Sequence, residues 1–189
     1  MNPKALDQFL AGIEGRAFRI AMLSVNNQAT ALDLVQDAML RLADKYAANP
    51  PEDWPLLFHR ILNNAILDHH RRQKVRRAWV SLFGDLAPQS EEDGTSPIEE
   101  ASLNLAERRD QDPDAQLETK QTLDRIDQAL SDLPLRQRQA FVLRYWEDMD
   151  ISQTAQVMGC SEGSVKTHCS RAMKALSEAL SDLRPEKSR

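Results

Sequence analysis

Residues 159–176 read GCSEGSVKTHCSRAMKAL and hold three cations, Lys166, Arg171 and Lys174, against one acid, Glu162. Hydroxyls at Ser164, Thr167 and Ser170 lie among them. Wound as a helix at about 100° per residue, Thr167, Ser170, Arg171 and Lys174 share one face, flanked by Ser164 and Lys166. Val165, Cys169, Ala172 and Leu176 fall on the opposite side, with His168 nearer that inner edge. A short, polar, cationic face suits phosphates and base edges in the major groove of duplex DNA. Arg171 is the strongest candidate for reading guanine, because its guanidinium fork donates to two acceptors at once. The plainer alternative is the solvated face of an amphipathic helix.

What precedes this helix favours the DNA reading. ISQTAQVM, residues 151–158, predicts a short helix, and Gly159 can adopt the left-handed conformation that ends one. Ser161 then suits the N-cap of the second helix, and Glu162 suits its positive first turn. Two short helices joined by a three-residue turn containing glycine make a helix-turn-helix. Ala155 is small where the helices would cross, and Val165 would lock the second helix against the first.

Other chemistry finds little support. Cys160 and Cys169 are the only cysteines, too few for a disulfide framework, and no CxxC pair is present to hold zinc. His69 and His70 are adjacent, so on a helix their rings point about 100° apart rather than converging on a metal. No cofactor is expected. The chain lacks a glycine-rich phosphate loop, a nucleophile motif and paired catalytic carboxylates, so it is not expected to be an enzyme. A histidine-dependent nuclease using His69 and His70 is the weaker rival. No apolar run reaches the roughly 18 residues of a membrane span, and the opening MNPKALDQFL lacks the apolar core of a signal peptide. A cytoplasmic protein without direct membrane insertion is expected.

The elements that must position the basic helix are themselves helical. Apolar residues recur at three- and four-residue spacing over residues 7–25, and again over 30–46 with Leu34, Val35, Ala38, Met39 and Leu42. Pro55 suits the first turn of a third helix running to about residue 76, and further helices are expected at 117–130 and 134–146. The expected fold is therefore all-α, with two small helical domains joined by an acidic, flexible linker, the second containing the helix-turn-helix.

Charge marks the divisions. The 189-residue chain has a formal net charge of −5. Residues 60–77 nevertheless carry Arg60, Arg71, Arg72, Lys74, Arg76 and Arg77 against Asp68 alone. Residues 85–114 carry ten acids against Arg108 and Arg109, together with Pro88, Gly94, Pro97 and Pro113. That composition reads as a linker, with room for a short helix around 99–109. The expected boundaries are a first domain at 1–83, a linker at 84–114, a second domain at 115–183 and a tail at 184–189. The acidic total belongs partly to the linker and does not describe the surfaces on either side.

Together these segments resemble the bacterial RNA polymerase sigma factors of the extracytoplasmic-function (ECF) group. Residues 30–42, TALDLVQDAMLRL, are similar to the segment that binds polymerase. Residues 58–74, FHRILNNAILDHHRRQK, are similar to the helix that melts and reads the −10 element. Residues 130–176, ending in the helix-turn-helix, are similar to the −35 reader. The resemblance implies that Asp33, Leu34, Val35, Gln36 and Asp37 bind the coiled coil of the β′ subunit. It implies that Arg60, Asn64, Arg71, Arg72 and Lys74 meet −10 DNA, and that Ser164, Lys166, Thr167, Ser170, Arg171 and Lys174 meet −35 DNA. In the family, the loop before the third helix pockets an unstacked −10 base. Here that loop is AANPPEDW, and its Trp54 can either stack on such a base or cover the core. The implied partners are core RNA polymerase, through the β′ coiled coil and the β flap, promoter DNA, and an anti-sigma factor that clamps both domains. The rival of a different class is a stand-alone helix-turn-helix regulator that binds duplex DNA as a dimer and uses residues 30–42 only as core.

Overall fold

In the computed structural model, residues 3–83 and 113–181 are described, and every regular element among them is helical. Backbone contacts divide the chain into two units, Met1–Ala101 and Ser102–Arg189. The helix expected around 99–109 lies outside the described residues.

The first unit holds α1 (Pro3–Val25), α2 (Gln28–Tyr46), a 3-10 turn (Pro51–Asp53) and α3 (Trp54–Phe83). Asn26 takes a left-handed φ of 51°, which its short polar side chain tolerates, and turns the chain out of α1. Asn27 then caps α2 by accepting from the Thr30 N–H at 2.8 Å. Ala17 and Ala21 of α1 and Ala31 and Ala38 of α2 are completely buried. Side chains this small let helix backbones approach closely. Phe58, Leu62 and Ile66 of α3 fill the remaining core beside Val35 and Leu42.

The helix α3 runs beyond its expected end near residue 76 to Phe83. Its apolar periodicity stops there, but its helix formers do not, and no Gly or Pro interrupts residues 56–83. Residues 71–79 are all exposed, so this end of α3 has left the core.

The second unit holds α4 (Pro113–Asp132), α5 (Leu135–Tyr145), α6 (Ile151–Met158) and α7 (Glu162–Ala179). The expected linker extends to residue 114, whereas α4 already begins at Pro113. A proline at the first helical position has no N–H to leave unbonded and a preset φ. At the other end α7 stops at Ala179 rather than near residue 183, and the Leu180 N–H closes it on Leu176 O at 3.0 Å.

Local chemistry fixes α6 at both ends. The Asp150 carboxylate accepts from the Gln153 N–H at 2.8 Å, and the Gln153 side-chain oxygen accepts from the Asp150 N–H at 2.9 Å. This reciprocal capping box satisfies two N–H groups that have no partner inside the helix. Gly159 closes the helix at φ 60°, ψ 44°, a left-handed conformation in which a Cβ would be strained. Ser161 caps α7 by accepting from the Ser164 N–H at 3.2 Å. Ala155 and Val165 are both buried where α6 and α7 meet.

Three arginines of α5 secure these turns. The Arg136 Nη1 donates to Met158 O, the last carbonyl of α6, at 2.9 Å. Arg138 donates to Ser131 O and, at 3.0 Å, to Leu133 O in the α4–α5 turn. Arg144 donates to Met149 O just before α6. Each guanidinium satisfies a carbonyl left without a helical partner.

Candidate nucleic-acid interface

The helix α7 is divided lengthwise. Val165, Ala172 and Leu176 are buried against the rest of the second unit. Lys166, Thr167, Ser170, Arg171 and Lys174 are exposed on the other side. The Thr167 hydroxyl donates to Gly163 O at 3.0 Å, leaving its lone pairs to accept from outside. Lys174 lies 4.0 Å from Glu178, with both side chains largely exposed, a pairing too weak in water to hold the ammonium from a phosphate. Ser164 is half-buried, and its hydroxyl sits 2.9 Å from that of Ser161, so it belongs more to the cap than to the outer face.

Both cysteines are half-buried. The Cys169 Sγ contacts Ala140 O at 3.6 Å, and burial raises the thiol pKa despite the opposing pull of Arg144. Among the described residues, no group of three or more His, Cys, Asp or Glu is placed to hold a metal ion.

His168 is half-buried, and its Nδ1 is buried with no hydrogen-bond partner among the described residues. Burial lowers its pKa from the ordinary 6.5, and the positive charges of Arg136 and Arg171 lower it further. As pH falls, the unfolded chain therefore takes up this proton before the folded chain does. The stability tied to neutral His168 is complete above about pH 6.5 and is lost as pH drops through the folded-state pKa. NMR titration of the four histidine rings, assigned with His168→Gln, is expected to give His168 a midpoint below 6.5. A midpoint at or above 6.5 would refute this account of its surroundings.

On α3, Arg60, Asn64, Arg71, Arg72 and Lys74 are exposed, whereas neighbouring Asn63 is buried at 6% exposure. Asp68 and Arg71 pair across one helical turn at 3.0 Å, and both side chains remain largely in solvent. His69 and His70 are half-buried with ring centroids 5.8 Å apart. The His69 pKa is lowered by burial, then by His70 and Arg72.

Burial decides between the two readings of Trp54 and moves Val35 inward. Trp54 is only 3% exposed, its ring lies 5.9 Å from that of Phe9, and its Nε1–H donates to Tyr46 O at 3.2 Å. It covers the core and presents no face to an unstacked base. Val35 is completely buried, so it supports the outer residues of α2 from behind rather than touching a partner. Asp33, Gln36 and Asp37 are exposed, and Leu34 is half-buried.

Sequence reasoning passed over two leucines of α2. Leu32 is 40% exposed and Leu40 is 61% exposed. Leu40 lies one turn beyond Asp37 and two beyond Asp33, so it shares their outer face. The available signal was an apolar residue on the side of the helical wheel otherwise occupied by acids.

Comparison with known proteins agrees with this arrangement. Residues 11–76 match Sigma-70 region 2, and residues 123–176 match Sigma-70, region 4. The ECF RNA polymerase sigma factor SigM of Mycobacterium tuberculosis is 32% identical over 180 residues, spanning 93% of this chain and 77% of that one. The chain belongs to the ECF sigma factors. As a sigma factor it directs transcription from promoters, with core RNA polymerase and promoter DNA as its partners. The sigma factor SigV of Bacillus subtilis is 26% identical over 160 residues, covering 84% of this ECF chain and 81% of SigV. The fold also matches the sigma factor RpoE in its co-crystal structure with the anti-sigma factor NepR from Bartonella quintana. The TM-score is 0.60 at 23% identity, covering 94% of this chain and 98% of that one. Among the described residues, no helix is long and apolar enough to cross a membrane.

Proposed function

We propose that this ECF sigma factor reads its promoters with two separate cationic surfaces and meets polymerase with a third, acidic one. In the domain at 115–183, Lys166, Thr167, Ser170, Arg171 and Lys174 enter the major groove at the −35 element, and Ser164 holds the start of the reading helix. In the domain at 1–83, Arg60, Asn64, Arg71, Arg72 and Lys74 meet the −10 element as the duplex opens. The stretch at 84–114 tethers the two. Asp33, Gln36 and Asp37, with Leu34 and Leu40 beside them, bind the β′ coiled coil, and the second domain meets the β flap. The protein catalyses nothing itself: it selects the site, polymerase makes the RNA, and both act in the cytoplasm. An anti-sigma factor, as seen bound to the Bartonella quintana protein, is the partner that would hold it inactive.

The carrying observation is the division of α7, with three apolar residues buried and five polar or cationic residues exposed on a capped helix-turn-helix. Arg171→Ala tests it. The substitution is expected to cost about 1–3 kcal/mol at one −35 base pair and to relax discrimination there. Polymerase carrying the variant is assayed on a promoter series substituted at each −35 position. Uniform weakening across the series would make Arg171 a phosphate contact and refute base reading.

A further inference from the structure

The exposed end of α3 carries more than positive charge. Val75 is 56% exposed and Trp79 is 61% exposed. They lie four residues apart, so they form one apolar strip on the helix surface. Residues 71–79 also hold Arg71, Arg72, Lys74, Arg76 and Arg77 and no acid. Wound at 100° per residue, Arg71, Arg72 and Arg76 bracket Val75 and Trp79 on one side of the helix. The one acid along this strip, Asp68, is paired with Arg71.

The strip continues a surface already described. From Asn64 to Trp79 is fifteen residues, a rotation of roughly 60° and a rise of about 22 Å. Val75 therefore lies almost in line with Asn64, whereas Trp79 is turned about 60° from Asn64 toward the line of Phe58, a side of α3 that is exposed at this end of the helix. It also lies beyond residue 76, where the match to Sigma-70 region 2 ends.

Single exposed apolar residues are common on protein surfaces. A tryptophan set in a row of arginines has the composition of a nucleic-acid stacking platform, with cations to follow the backbone and a π-face to meet a base or sugar. The charge excludes a basic or purely apolar occupant. At about 3.4 Å per base step, 22 Å corresponds to about six steps along the DNA.

We propose that Trp79 is an additional DNA contact, packing its indole on promoter DNA about six base steps from the position met by Asn64. Val75 supports the indole and the arginines hold the flanking phosphates. This rests on the assignment of Arg60 and Asn64 to promoter DNA, and the test separates the two claims.

The full-length chain is assembled with core RNA polymerase. Binding is measured on a fluorescein-labelled promoter fragment, found by mapping the transcripts made when the chain is overproduced. One arm uses the duplex and a second uses the same fragment opened in advance by mismatches. Trp79→Ala is expected to weaken binding about tenfold, Trp79→Phe to stay within about twofold of wild type, and affinity for core polymerase without DNA to be unchanged. Equal loss on both fragments supports the contact and puts the indole on duplex DNA. Loss on the opened fragment alone supports it and puts the indole on an unstacked base. Wild-type binding by Trp79→Ala, with Asn64→Ala impaired, overturns the proposal and spares the −10 assignment. Wild-type binding by both variants overturns both. Weaker binding of Trp79→Ala to core polymerase alone makes this strip a protein contact and also overturns the proposal.

Discussion

Asp37→Arg is expected to weaken core polymerase binding by about 3 kcal/mol, roughly a hundredfold. Asp37 lies on the outer side of α2 with Asp33 one turn before it and exposed Leu40 one turn after. An acidic face around an apolar residue calls for a basic partner with an apolar recess. Reversing one charge there loses an attraction and adds a repulsion of similar size. The fold should be unaffected, because the position is exposed and arginine is a better helix former than aspartate. Titration of labelled protein with core polymerase at moderate salt, beside a urea melt of the free variant, separates these effects. Wild-type affinity would remove Asp37 from the interface. A large loss of stability would mean that α2 is held by more than its buried face.

Trp54→Ala is expected to destabilise the first unit by about 3–5 kcal/mol, in the range for removing a buried aromatic side chain. Its ring is packed near Phe9, which in turn meets Phe58 edge-on at 6.3 Å between centroids. Removing the indole also takes away one of the two donors to the Tyr46 carbonyl, which keeps the Asn49 N–H at 3.0 Å. Domains are typically stable by about 5–15 kcal/mol, so this loss consumes much of the margin. Trp54→Phe restores most of the packing without the hydrogen bond and should recover all but about 1–2 kcal/mol. Urea unfolding followed by far-ultraviolet circular dichroism provides the measurement. A change below about 1 kcal/mol for Trp54→Ala, with weaker −10 binding instead, would restore the base-stacking role.

These two residues mark what could be read from the sequence. The end of α6 was read from Gly159, which acts on backbone groups within a few residues; the Asp150–Gln153 capping box at its start is equally local but was passed over. Trp54 was ambiguous because its partners come from elsewhere: Phe9 lies forty-five residues away, and the Tyr46 carbonyl, which also accepts from the Asn49 N–H, meets the indole only where α2 ends. Val35 was misplaced for a geometric reason. Five consecutive helical residues sweep more than a full turn, so Asp33 to Asp37 could not all face outward. The end of α3 was set too early because apolar periodicity reports a core, whereas helix propensity decides whether a helix continues without one. The bonds of the α5 arginines are not legible in the sequence, since nothing local reveals which turn carbonyls the tertiary fold will bring to them.

Those arginines bear on how ionic strength acts on the protein. Phosphate contacts weaken steeply with added salt because binding DNA releases condensed counterions. The bonds from Arg136, Arg138 and Arg144 to peptide carbonyls are partly buried and directed at neutral dipoles, so screening hardly reaches them. The helix-turn-helix should keep its shape at salt concentrations that strip it from DNA. The salt slope of binding to −35 duplex then reports phosphate contacts, with no contribution from a loosening helix-turn-helix.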